Sequence, residues 1–267
     1  STQGVSSAAS DVYKRQVLGY DAKQVNQDES WQEESLENSK GSDAKDELHA
    51  HELREEAVAK AREYAAAGDP VLFIGGLDHE HDLEGRDRTD MRLPYGQDEL
   101  IEALLEAAPN TILAFVAGSP IEMPWADKAK AIVWNWYAGC ESGAALAEVL
   151  FGRVNPSGHL PETFPIALAD EPAHRIGTFG LEGHVDYAED IYVGYRYFDT
   201  RQIPVLFPFG HGLSYTDFAF RDLDVRQVDD EIRVTFTVEN IGDCAGKAVA
   251  QVYLGLEGTG EDRPAKE

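Results

Sequence analysis

The run Val71-Leu72-Phe73-Ile74 halts at two glycines, and the chain then opens into Leu77-Asp78-His79-Glu80-His81-Asp82-Leu83-Glu84-Gly85-Arg86-Asp87-Arg88, closed by Leu93-Pro94. A short apolar run with a helical pattern on either side reads as a buried strand. Beyond the carboxyl end of such a strand the chain is free of ladder hydrogen bonds, which is where open α/β sheets present their polar chemistry. A plain solvated acidic loop is the alternative. The bracketing glycines and the close spacing of carboxylates, imidazoles and guanidinium groups favour a site.

The segments around this strand repeat the same logic. Leu53, Ala57, Ala61, Tyr64 and Ala65 recur on one face and predict an amphipathic helix from about Glu47, stopped by Gly68 and Pro70. A second helix is predicted from about Gln97, with Leu100, Ile101, Leu104, Leu105 and Ala108 on one face and Pro109 after it. Thr111 to Val116 and Ala131 to Trp134 are further apolar runs, and such runs suit parallel strands covered on both faces. A third helix fits Ser142 to Phe151, with Gly152 just past its end. The order predicts a layered α/β domain with a mostly parallel sheet.

Arg153 to Thr216 is loop-rich, and its Tyr192, Tyr195, Tyr197, Phe198, Phe207 and Phe209 could stack sugars, although aromatics at that density are expected to fill a core. From Asp217 the period changes to two. Phe218 and Phe220 alternate, as do Ile232, Val234, Phe236 and Val238, and then Ala248, Ala250, Val252 and Leu254. These predict three antiparallel strands, with a turn at Asn240-Ile241-Gly242 and a sandwich cut short. Cys140 and Cys244 have no metal-ligand or redox spacing and read as buried or incidental thiols. At the other end, Ser6 to Gln16 reads as the in-frame translation of a transposon-type sequencing adapter. Residues 1–16 are therefore expected to be non-native, the reading frame to begin inside a gene, and the polar residues 17–46 to be a linker or domain remnant.

Taken in order, the motifs resemble glycoside hydrolase family 3, the β-glucosidase family, from about Glu47 to Glu267. The charged loop with its Glu84-Gly85-Arg86-Asp87-Arg88 and Leu93-Pro94 carries the resemblance first. Gly118-Ser119-Pro120-Ile121-Glu122-Met123-Pro124-Trp125 and Trp136-Tyr137-Ala138-Gly139-Cys140-Glu141-Ser142-Gly143 are similar to the next two family signatures. Leu150 to Pro161, Val193 to Phe198 and Phe207 to Thr216 are the most specific pieces. The resemblance implies an α/β sandwich domain over 47–216 and the start of a fibronectin type III-like domain over 217–267. It also implies an N-terminal barrel, holding an Asp nucleophile, that this chain lacks. A sugar-binding domain inserted ahead of the charged loop in some members would make 17–46 its end.

The implied activity is retaining hydrolysis of β-linked glucosides or oligosaccharides, and by motif position Glu84 is the implied general acid/base, with Glu80 as the fallback. The two carboxyl groups of a retaining pair stand about 5 to 5.5 Å apart, so the loop would have to reach the barrel. Asp87 and Arg88 are expected to hold the loop by ion pairing. His81 and Arg86 stand where the family often has an aromatic and a Tyr, so contacts to the leaving group are expected to differ. His79 and His81 flank one carboxylate, too little for a metal site, and neither metal nor cofactor is expected. The competing reading is a non-catalytic accessory or interaction module.

Charge narrows the partners. Asp and Glu outnumber Lys and Arg by 49 to 23, a formal net charge of −26, which argues against nucleic acid and anionic membrane surfaces. No apolar run approaches the ~18 residues of a membrane span. Lys is also the rarer cation, a composition that a salt-rich environment favours. Stability measured by urea unfolding should therefore rise with salt as self-repulsion is screened. A midpoint unchanged from low to high salt would remove this reading.

Overall fold

The computed structural model describes residues 44–177, 179–180, 183–255 and 263–267. The expectations for 1–16 and for most of 17–46 lie outside them. The chain divides into two compact units, one ending at Gly143 and one starting at Ala144.

The first unit is built from helix α1 (Ala44–Ala67), strand β1 (Leu72–Gly76), helix α2 (Gln97–Ala107) and strands β2 (Ile112–Val116) and β3 (Ala131–Trp134). Leu53, Ala57, Tyr64 and Ala65 of α1 are half-buried and Ala61 is buried, while Glu55, Glu56, Arg62 and Glu63 are exposed, so the expected apolar face is the packed one. At its end the Gly68 amide bonds the Ala65 carbonyl at 3.1 Å and the Asp69 amide bonds that of Tyr64 at 2.9 Å. This is the crossed pair of a Schellman stop, with Gly68 at φ +84°. Asp98 and Glu99 lie in the first turn of α2, where the helix dipole favours negative charge.

The three strands form a parallel sheet in the order β1-β2-β3. Leu72 pairs with Ile112 through to Gly76 with Val116, and Ile112 pairs with Ala131 through to Phe115 with Trp134. The core joins Leu100, Ile101, Leu104 and Leu105 of α2 to Leu113, Ala114 and Phe115 of β2, with Ile121 and Trp125 also buried. The Trp125 ring stacks on Phe115 at 5.4 Å. Coverage of both sheet faces, as expected from the apolar runs, holds for β2 alone. On β1 the side chains alternate, and Leu72 and Ile74 are 42% and 54% exposed. Among the described strands β1 lies at one end of the sheet.

One buried side chain fixes where β1 ends. Gln97, 1% exposed, accepts a hydrogen bond from the Gly76 amide and donates one to the Gly76 carbonyl, both at 2.9 Å. Gly76 has φ +137°, and a Cβ there would lie 2.0 Å from the Val116 carbonyl oxygen, so backbone and amide meet with no room for a side chain.

Helix α3 (Ser142–Leu150) spans the division between the units and ends with another crossed pair, Gly152 to Val149 and Arg153 to Glu148, both at 2.9 Å. The second unit continues with β4 (Phe164–Pro165), α4 (Pro172–Ile176), α5 (Tyr195–Arg201), β5 (Val205–Phe207), β6 (Phe218–Val228) and β7 (Glu231–Asn240). Tyr192, Tyr197 and Phe198 are buried and pack with Ile203 and Val205, in keeping with a core role for those aromatics. The two most specific motif strings meet here. Leu160 and His211 share a backbone bond at 2.8 Å, as do Gly210 and Leu160, and His159 Nδ1 lies 2.8 Å from the Gly210 carbonyl. Asn155 Oδ1 accepts from Ser214 and from the Tyr215 amide.

β6 and β7 pair antiparallel from Phe218 with Asn240 to Val228 with Glu231, with an irregularity between Arg221 and Asp224. The third expected strand does not form. Among the described residues, Ala248–Leu254 joins no strand ladder, and Leu254 exchanges two backbone bonds with Glu267. Asn240-Ile241-Gly242 is a turn closed by the Asn240 side chain on the Gly242 amide, but it leads into no further strand. Cys140 and Cys244 are free thiols and both are exposed, not buried.

Replacing Gln97 with Leu keeps the volume and strands both Gly76 groups. Unsatisfied buried groups cost about 1–3 kcal/mol each, so the variant should lose about 2–6 kcal/mol in urea unfolding followed by tryptophan fluorescence.

Candidate active site

The charged loop leaves β1 at Leu77 and returns at Pro94, and its two ends are bonded to each other. Beyond the Gln97 clamp, the Tyr95 hydroxyl donates to Asp78 Oδ2 at 2.5 Å. Asp78 Oδ1 meets His81 Nδ1 at 2.8 Å and accepts from the Glu80 amide at 3.0 Å. The Asp78 carbonyl accepts the amides of His81 and Asp82. Asp78 therefore organises the first turn of the loop. Tyr95 holds its position at φ +61°, a conformation bulky residues adopt only under constraint, and its ring meets that of His81 edge-on at 5.1 Å.

Further along, the loop is fastened to the segments that follow the other two strands. Asp82 Oδ2 accepts from the Tyr137 hydroxyl at 2.8 Å and from the Gly118 amide at 3.3 Å. Arg88 donates from Nη2 to the Pro120 carbonyl at 2.6 Å, and the Glu122 amide bonds the Met91 carbonyl at 2.8 Å. Trp125 reaches the helix after the loop, donating to Asp98 at 2.8 Å.

Electrostatics follow the burial. Removal from water pulls the Arg88 guanidinium down from its usual value, opposed by Asp82, Asp90 and Tyr137. Burial pushes the Tyr137 hydroxyl up to about 12, and the Asp82 carboxylate adds to the rise. Burial also raises Asp98, against the Trp125 hydrogen bond. Burial works to raise Asp78 too, but the Tyr95, His81 and Glu80 donors outweigh it and hold this carboxyl below the ordinary aspartate range.

Between Asp82 and Arg88 the loop projects. Leu83 and Arg86 pair across an isolated bridge, which places Glu84 and Gly85 at the corners of a turn. Gly85 has φ +77°, as the third residue of a type II turn requires. Glu84, Gly85, Arg86 and Asp87 are all exposed. Glu80 is exposed as well, one turn earlier beside His79. The structure thus places Glu84 at the tip and Glu80 at the base of one loop. Arg88, expected to hold the loop by ion pairing, is anchored by a hydrogen bond to the Pro120 carbonyl and feels the charges of Asp82 and Asp90. His81 is engaged with Asp78, and among the described residues no group of three or more His, Cys, Asp or Glu is arranged to hold a metal.

Sequence reasoning missed Gln97, Tyr95 and Tyr137, the side chains that set the loop. The glycine pair ahead of the loop was one available signal, since two glycines at a strand end call for something to approach their backbone.

The first unit is thus a parallel α/β unit that offers a fastened, carboxylate-tipped turn at the ends of its strands. Residues 3–215 match the glycosyl hydrolase family 3 C-terminal domain, a span that includes the adapter-like segment, and the chain belongs to that family. It is 44% identical over 222 residues to a probable beta-glucosidase I of Aspergillus clavatus, covering 80% of this chain and 26% of that protein. With a beta-glucosidase of Rhizobium radiobacter it shares 47% identity over 221 residues, 80% of this chain and 27% of the relative. The solved beta-glucosidase of Kluyveromyces marxianus in complex with glucose superposes with a TM-score of 0.77 at 42% identity, over 82% of this chain and 26% of that one. The chain spans about a quarter of the length of the curated relatives it matches, and it is homologous to the C-terminal part of family 3 β-glucosidases.

The Asp78 carboxyl supplies a pH test. A carboxyl held low in the folded state adds stability above its unfolded value of about 3.9 and gives it up as pH falls through the lower folded value. Tyr95→Phe removes a principal donor. The stability gap between parent and variant should be full at pH 7 and shrink below about pH 4. Urea unfolding at pH 7 and at successively lower pH measures it, and a gap independent of pH would contradict the assignment.

Proposed function

We propose that the chain supplies the general acid/base, Glu84, of a retaining β-glucosidase-like exo-hydrolase, and that the Asp nucleophile comes from a barrel outside these 267 residues. The observation that carries the reading is the exposed position of Glu84 on a turn fastened to three strand ends, within a motif of the family. A proton donor held on a fixed base can be offered to a surface beyond the sheet without losing its aim.

In the first step the nucleophile attacks the anomeric carbon, the glycosidic C–O bond breaks, and Glu84 gives its proton to the leaving oxygen. In the second, Glu84 takes a proton from water as the water displaces the enzyme carboxylate. An acid of this kind works out of water. Glu84 is exposed in this chain, so the desolvation has to come from the surface that closes over the turn. Glu80 sits at the base of the loop and is the poorer candidate. β-Linked glucosides or oligosaccharides are the proposed substrates, in line with the names of the relatives. A fibronectin type III-like identity for the terminal hairpin belongs to the same proposal.

The test joins the 267-residue chain to the barrel of a family relative and assays an aryl β-glucoside with an unactivated leaving group, such as phenyl β-glucoside. Glu84→Ala should lower kcat/KM by ~10²–10⁴, and the unjoined chain should hydrolyse nothing, behaving as an accessory module. Full activity in Glu84→Ala, or turnover by the chain alone, would defeat the reading.

A further inference from the structure

Glu84 is two residues past Asp82, and Asp82 is where three separate segments meet. Its Oδ2 accepts from Tyr137, which follows β3, and from the Gly118 amide, which follows β2, while Asp82 itself belongs to the loop after β1. The joint is closely fitted. A Cβ on Gly118 would lie 2.7 Å from the Tyr137 ring and 2.8 Å from the Asp82 carboxylate. Trp136, just ahead of Tyr137, is held at φ +42° and packs edge-on against Trp134 at 5.8 Å. A bulky residue stays in that region when its surroundings over-determine it, a pattern concentrated at functional sites.

Neither Asp82 nor Tyr137 is used by the mechanism above. Resting on the assignment of Glu84, we infer that Asp82 and Tyr137 are positioning residues: their hydrogen bond sets the direction in which the Leu83–Arg86 turn offers the Glu84 carboxyl to the leaving-group oxygen. The Tyr137 hydroxyl, raised to about 12, remains a donor through neutral pH. The carboxylate has a second donor in Gly118, and the loss of Tyr137 alone therefore loosens the turn without releasing it.

The consequence is a dependence on the leaving group. An activated phenol departs with little help from an acid, whereas an alkoxide needs the proton in the transition state. kcat/KM reports the step in which that bond breaks, so a misdirected acid should penalise poor leaving groups selectively. A mere loss of folded enzyme would penalise all substrates alike.

Two measurements test this. In the unjoined 267-residue chain, Tyr137→Phe and Asp82→Asn should speed hydrogen exchange at the amides of residues 81–88 by ~10-fold or more, with the amides of β2 unaffected. In the chain joined to a relative's barrel, each variant should lower kcat/KM by ~10²-fold on an alkyl β-glucoside and by no more than about threefold on a dinitrophenyl β-glucoside. Tyr187→Phe, at a side chain 82% exposed, is the control and should change neither. Unchanged exchange in the turn, or an equal loss on both substrates, overturns the inference. If Glu84→Ala is fully active the proposed function falls first. If Glu84→Ala is impaired while the leaving-group profile of Tyr137→Phe matches the parent, this inference alone fails.

Discussion

The first unit depends on the amide of Gln97 closing on the backbone of Gly76. A strand that stops must leave an amide and a carbonyl without ladder partners, and in a buried place those groups cannot turn to water. Gln97 satisfies both with one side chain and thereby joins the end of β1 to the start of α2. Everything between them, including Asp78, Asp82, Glu84 and Arg88, becomes a closed loop with a fixed base. The lack of a side chain at Gly76 is what lets the β2 backbone lie alongside this joint. Tyr95 on Asp78 repeats the closure one layer further out.

The same region shows what sequence patterns do and do not carry. The strands at 72–76, 112–116 and 131–134 and the helices at 97–107 and 142–150 lie close to where period and breaker residues put them, because both signals are local. Helix α5 was not legible: Tyr195 to Arg201 buries adjacent Tyr197 and Phe198 among other aromatics, which hides any helical period. β4 and β5, of two and three residues, are too short to show one. Over Ala248 to Leu254 the alternation did not translate into a buried face, since Ala250, Val252 and Leu254 are exposed: a strand also needs an edge to pair with, and that is not written in the segment itself.

For the candidate site, the loop was legible and its fastening was not. A glycine pair at a strand end followed by charge is a local signal, and the turn carrying Glu84 sits inside it. The contacts that shape the loop join residues 17, 21 and 55 positions apart. They depend on which strand lies beside which, so no window of sequence contains them. Arg88 illustrates the difference: its charge suggested a role in holding the loop, but the carbonyl that receives its hydrogen bond, that of Pro120, lies 32 residues on.

The open face of β1 carries a consequence for the chain as a particle in solution. Leu72 and Ile74 are large apolar side chains 42% and 54% exposed, and exposed apolar side chains are where two copies adhere. What opposes that approach is long-range: two chains with a formal charge of −26 each repel before these surfaces meet, over a distance set by the Debye length. Screening by salt therefore acts in two opposite directions, easing the repulsion inside one molecule while lowering the barrier between molecules. Colloidal stability and folding stability of this chain are governed by the same carboxylates with opposite sign.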